Sequence, residues 1–277
     1  MVAEEVKSEY AGEIGEAIAY GLSAPGKRFR PALMAAVHRE LGGKGTVSWL
    51  GAAVEVVHTY SLMHDDLPCM DDDDIRRGRQ TAHRKFSVAT ATEAAMRMVP
   101  LAARVLARGA DMILCSRDEL GRMGKELFVA AGASGMVGGQ MMDLEAEGRS
   151  LTVEELEQVH GAKTGALVAA SAVIGSIAAG ADDAVVVHVK SFGEELGLAF
   201  QIADDILDAT ASSDTLGKTA GKDARQQKAT FATILGITDA RARAEECVGR
   251  ALDNLREGGI DSKLLSALGR FVIEREY

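Results

Sequence analysis

The sequence predicts an all-α protein, and three observations carry that expectation. Prolines number only four in 277 residues, and aromatics make up 4% while Ala, Leu, Met and Glu abound, a composition that favours helix over sheet. No segment alternates at period two for long enough to build a sheet. Apolar residues make up 47% of the chain, enough for a substantial core. No polar linker divides the chain, so one domain over 1–277 is expected.

The helices follow one another with short breaks. "EYAGEIGEAIAYGL" is periodic and stops at "SAPGKR", and "FRPALMAAVHREL" ends at Gly42 and Gly43. "TVSWLGAAVEVVHTYSLMHDD" is a long apolar helix that should kink or end near Pro68, which has no amide hydrogen to bond back. Further helical stretches are "SVATATEAAMRMVPLAARVLARGADMILC", "DELGRMGKELFVAAGASGMVGGQMMDLEAEGR" and "TVEELEQVHGAKTGALVAASAVIGSIAAG". "AVVVHVKSFGEELGLAFQIADDILDA" leads into the polar loop "TASSDTLGKTAGKDARQQ", and two helices close the chain.

Net charge and cysteines narrow the function. A formal charge of -10 argues against a nucleic-acid or anionic-membrane binder, which needs a large basic surface. Cys69, Cys115 and Cys247 are odd in number and widely spaced, which fits reduced thiols in a cytoplasm rather than disulfides or zinc. The acidic start lacks a signal-peptide core. Thr164 to Ala181 carries no charge but is rich in Ala, Gly and Ser, so a helix buried in a bundle is expected rather than a membrane span.

Chemistry concentrates in two acidic clusters. "HDDLPCMDDDDIRRGR", His64 to Arg79, holds six aspartates and three arginines, and "FQIADDILD" carries Asp204, Asp205 and Asp208. On a helix, those last three carboxylates share one face and repel one another. Each cluster sits at the hydrophilic end of an apolar helix, a placement that suits a cation held between them. All-oxygen donors suit magnesium, which keeps waters and phosphate oxygens in its shell.

Cations that could hold phosphate surround the pattern. Lys27, Arg28 and Arg30 stand at a loop-to-helix junction, and Arg76 and Arg77 follow the first aspartates. Lys163 and Thr164 head the uncharged helix, while Lys218, Lys222 and Lys228 lie on the polar loop. Each alone is an ordinary surface residue; together, in an acidic chain, they point to anion sites beside the metal.

Over nearly its whole length the chain resembles the trans-isoprenyl diphosphate synthases. The first aspartate motif of that family matches Asp65, Asp66 and Asp71, and the second matches Asp204, Asp205 and Asp208. "GKRFRP", His58, "RRG", "GGQMMDLEAEG", "KTGAL" and "GKTAGKD" match in order and spacing. The resemblance implies a single-domain isoprenoid synthase bundle with a central cavity, working as a homodimer and using Mg2+, three ions once diphosphate is bound. Asp65, Asp71 and Asp204 would be the principal ligands, with Asp66, Asp205 and Asp208 supporting them. Arg76, Lys163, Thr164, Gln201, Lys218 and Lys222 would bind the allylic diphosphate (dimethylallyl or geranyl). Lys27, Arg30, His58 and Arg77 would hold isopentenyl diphosphate.

The implied reaction is head-to-tail prenyl transfer, in which a carbon-oxygen bond breaks, so no Walker loop is expected and none is present. Tyr60 stands five residues before Asp65, about 7.5 Å along a helix. In the family an aromatic there limits the product, implying farnesyl diphosphate (C15), with geranylgeranyl diphosphate (C20) as the alternative. Two others remain: a non-catalytic regulatory subunit, disfavoured because both aspartate motifs are intact, and a terpene cyclase, disfavoured by Lys27, Arg30 and His58. Departures from the family pattern are Gln80 for proline, Ser87 for glycine, and Ala95-Met96 for a Gly-Asp pair.

Overall fold

The computed structural model describes Val2, Val6, residues 9–210 and residues 229–275. In chain order its helices are α1 (Gly12–Leu22), α2 (Phe29–Glu40), α3 (Ser48–Asp65), α4 (Ala82–Lys85), α5 (Val88–Met112), α6 (Arg117–Ala131) and α7 (Met136–Glu145). They continue with α8 (Val153–His160), a π-helical turn (Gly161–Gly165), α9 (Ala166–Ala178), α10 (Asp183–Thr210), α11 (Phe231–Leu235), α12 (Ile237–Glu257) and α13 (Lys263–Glu274). The all-α fold expected from composition is what forms.

The uncharged α9 acquires a physical explanation. Its Leu167, Val173, Ile174 and Ile177 pack into a core built with α3 and α5, whereas Val168 and Ala172 pack into a second core with α10 and α12. A helix walled in on both sides carries no polar stripe. The stretch Val153–Ala178 is long and apolar enough to cross a bilayer by length and composition, and 67% of its apolar window is buried inside the bundle.

Local chemistry sets the helix ends. Ser116 and Thr152 form capping boxes with Glu119 and Glu155 at the starts of α6 and α8. Ser87, where the family has glycine, caps α5 by accepting from the Thr90 amide at 3.0 Å. Pro100 lies within α5, and the carbonyl it deprives of a partner belongs to Met96, which is 67% exposed and so faces solvent. α3 ends at Asp65, just short of Pro68.

Three features differ from the sequence expectation. The stretch 118–149 breaks in two at Gly132 to Gly135, separating α6 from α7. The short helices α4 and α11 were not expected. Residues Ile75–Arg76 and Arg79–Gln80 pair as two short antiparallel strands, β1 and β2, too brief for a period-two pattern to reveal. The turn between them holds Arg77 at φ 53 and Gly78 at φ 72, the two positive angles that a tight type I′ hairpin demands. Arg77 adopts this conformation at a cost of about 1 kcal/mol.

Two glycines let backbones meet at the site. A Cβ on Gly139 would stand 2.2 Å from the Lys163 amide nitrogen, and one on Gly197 would stand 2.6 Å from the Gly165 Cα. Helices α7 and α10 therefore both close on the π-turn that carries Lys163 and Thr164.

Candidate active site

Asp65 ends α3 and the chain then doubles back. The Asp71 amide donates to the Asp65 carbonyl at 2.8 Å, and the Met70 and Asp72 amides both donate to the Leu67 carbonyl. This knot returns Asp71 beside Asp65, where Gln140 of α7 donates to Asp71 Oδ1 at 3.3 Å. Asp66 turns inward and pairs with Arg76 Nε at 2.5 Å, while Arg76 Nη2 reaches Asp73 at 3.2 Å. Burial outweighs that arginine and pushes the Asp66 carboxyl up to about 6.

The second cluster divides in the same way. Asp205 is buried; its Oδ2 accepts from the Phe231 amide at 2.9 Å and its Oδ1 from Gln201 at 3.0 Å. Burial raises it to about 7 against the pull of those donors. Asp204 is more open and pairs with Arg275 at 2.9 Å, and Asp208 is exposed. Thus one carboxylate of each adjacent pair, Asp66 and Asp205, is turned into the protein, whereas Asp65 and Asp204 remain less enclosed.

Arg30 lies between α3 and the second cluster, because its guanidinium feels the charges of both Glu55 on α3 and Asp204 on α10. Burial holds His58 well below the ordinary imidazole range, and the charges of Arg30, Arg77, Arg76 and Arg28 push it the same way. A neutral His58 therefore sits among four arginines. Arg77 is steadied by donating to the Pro25 carbonyl at 2.8 Å. Lys27 is exposed on the adjoining loop.

At the far side Lys163 pairs with Asp143 of α7 at 2.6 Å. Thr164 donates to Gln201 Oε1 at 2.9 Å, and Gln201 passes the chain on to Asp205. The π-turn thereby ties α7, α9 and α10 together. Lys218, Lys222 and Lys228 lie outside the described residues.

Several groups at the site carried no sequence signal of their own. Glu55 is buried and pairs with Arg28, whose left-handed backbone (φ 50) lets Nη2 also reach the Leu22 and Ala24 carbonyls. Arg275 arrives from the last helix, seventy-one residues after Asp204, a distance that no local pattern spans. Asp143 lies within the matched "GGQMMDLEAEG", where its partner Lys163 could have marked it.

A helical bundle that gathers two carboxylate clusters and a group of arginines is the architecture of the isoprenyl diphosphate synthases. The geranyltransferase of Helicobacter pylori, solved with magnesium and isoprenyl diphosphate, superposes with a TM-score of 0.83 at 29% identity, covering 98% of this chain and 92% of that one. A geranylgeranyl pyrophosphate synthase superposes at 0.87 and 26% identity, covering 100% and 97%. The farnesyl diphosphate synthase of Escherichia coli K12 is 41% identical over 94% of this chain and 88% of its own length. The large subunit 1 of the heterodimeric geranylgeranyl pyrophosphate synthase of Arabidopsis thaliana is also 41% identical, over 95% and 72%. The Polyprenyl synthetase family model matches residues 12–258. The chain belongs to the polyprenyl synthetase family and is a prenyltransferase.

Proposed function

We propose that this chain condenses isopentenyl diphosphate with dimethylallyl and then geranyl diphosphate, in a magnesium-dependent reaction that stops at farnesyl diphosphate (C15). The observation that carries the reading is the division of labour among carboxylates. Asp65, Asp71, Asp204 and Asp208 offer an all-oxygen donor set that fits magnesium, backed by Asp66 and Asp205. Three ions at this site is part of the same reading. Bound magnesium would neutralise the diphosphate that departs from the allylic carbon.

The chain's own residues do the rest. Arg76, Lys163, Thr164, Gln201, Lys218 and Lys222 orient the allylic diphosphate and stabilise charge as the carbon-oxygen bond breaks. Lys27, Arg30, His58 and Arg77 hold isopentenyl diphosphate so that its double bond lies against the allylic carbon. A new carbon-carbon bond forms, and a proton leaves the adduct to the released diphosphate. Neutral His58 donates a hydrogen bond there without adding a fifth positive charge to the arginine group.

Tyr60 supports the C15 limit. It is half-buried beside His64, with ring centroids 5.9 Å apart, and the Asp65 charge reaches its hydroxyl. C20 is the second reading, favoured by relatives named geranylgeranyl pyrophosphate synthases at 40–41% identity. A homodimer belongs to the proposal as well, supported by exposed Val88, Met96 and Val99 on α5 and Val129 on α6. The test is the product spectrum from isopentenyl diphosphate with each allylic starter, with magnesium and with chelator. Magnesium-dependent product ending at C15 is expected; C20 would move the limit, and no product from any starter would overturn the reading.

A further inference from the structure

Outside the carboxylates assigned above, the hairpin brings a third group together. Asp72 and Asp74 precede β1, and His83 follows β2 on α4. One carboxylate oxygen from each aspartate and one His83 ring nitrogen lie within 4.8 Å of one another. The ring itself is only 6% exposed, and its Nε2 is buried without a hydrogen-bond partner. Buried polar atoms are nearly always satisfied, so an orphan on a ring beside two carboxylates calls for a partner.

The tautomer is set by Thr81. Its hydroxyl lies 3.4 Å from the Asp74 carbonyl, to which it donates, and 3.2 Å from His83 Nδ1. Nδ1 then carries the proton and donates to Thr81, which leaves a lone pair on Nε2. Ligand imidazoles are oriented in this way, through a hydrogen bond from the other nitrogen. Burial and the Arg84 charge lower the affinity of the ring for protons, against Asp72, Asp74 and Asp73.

We propose that Asp72, Asp74 and His83 form a divalent transition-metal site that clamps the base of the β1–β2 hairpin. One imidazole with two carboxylates suits zinc or manganese better than magnesium. Ligand atoms around a common ion lie roughly 3–4 Å apart, so about 1 Å of side-chain closure completes the set. Arg84 competes for the site, since it holds Asp74 through Nε at 2.5 Å and Nη2 at 2.9 Å. Because Arg76 and Arg77 ride on the same hairpin, the ion would stiffen the mount on which they sit.

Zinc competition against a chromophoric chelator tests this, using the full chain in excess magnesium to occupy the other carboxylates. D72N and H83Q should bind zinc at least about tenfold more weakly than the unaltered chain, and R84Q, by releasing Asp74, should bind it more tightly. Asp72 is exposed, so D72N keeps the test valid even where H83Q fails to fold. Zinc bound equally well by D72N and the unaltered chain would overturn the proposal.

Discussion

Arg275 of the chain's last turn holds Asp204 at 2.9 Å while its guanidinium lies 3.8 Å from the centre of the Phe200 ring. The same side chain donates to the Phe200 and Val272 carbonyls. The C-terminal helix is thereby locked to the second aspartate cluster. Replacing Arg275 by Met removes its donors from the Val272 and Phe200 carbonyls and frees Asp204, which should cost about 2 kcal/mol of stability. Urea denaturation together with magnesium-dependent kinetics checks it: the midpoint should fall, and, with Asp204 released from its competing cation, less magnesium should be needed for half-maximal rate.

Tyr60→Ala should lengthen the product beyond that of the unaltered enzyme. Chromatography of the dephosphorylated products decides, and an identical chain-length distribution would remove Tyr60 as the floor.

Gly139→Ala should be harmful for a reason unrelated to helix propensity. Its methyl group would collide with the Lys163 backbone, which cannot rotate away as a side chain could. We expect a loss of about 1–3 kcal/mol, with a rise in KM for the allylic diphosphate as Lys163 and Thr164 are pushed aside. Thermal melting and steady-state kinetics read the two effects separately.

Asp205 gives a pH signature in metal-free protein. Burial raises its folded value to about 7, above that of the unfolded chain, so the native state retains a proton that the unfolded state has lost. Between about pH 4 and 7, stability contributed by this group therefore falls as pH rises. Relative to Asp205→Asn, which does not titrate, the unaltered chain should be more stable at pH 5 than at pH 8. Melting both in chelator across that range tests it; a constant difference would refute the shift.

Much of this was legible from the chain. The aspartates of both motifs declared themselves because like charges at helical spacing have no place on an apolar helix without a purpose. A helix boundary followed where glycines marked it, at Gly42 and Gly43, whereas the capping boxes at Ser116 and Thr152 came to light only in the structure. The inward turn of Asp66 and Asp205 was not legible, since each stands beside a twin of identical type and only packing tells them apart. Nor were Glu55 and Arg275, whose partners lie on other elements: an isolated acid in an apolar helix and an arginine near a terminus look ordinary until the fold closes. The hairpin escaped because two residues per strand cannot display alternation.

The π-turn at Gly161–Gly165 has a consequence for how this chain tolerates change. A turn of that kind holds one residue more than the α-helical ladder on either side, and each residue rotates a helix by about 100°. Because the wider turn takes up that residue within a single revolution, α8 and α9 keep a common phase across it, and shortening the turn by one would close the ladder without rotating either helix. A residue removed from the body of α8 would instead swing one half of it against the other by that angle and pull the Glu157–Arg243 tie out of line with α12. The segment works as an expansion joint in one rod, so a change of length is absorbed there more readily than in the helices it joins.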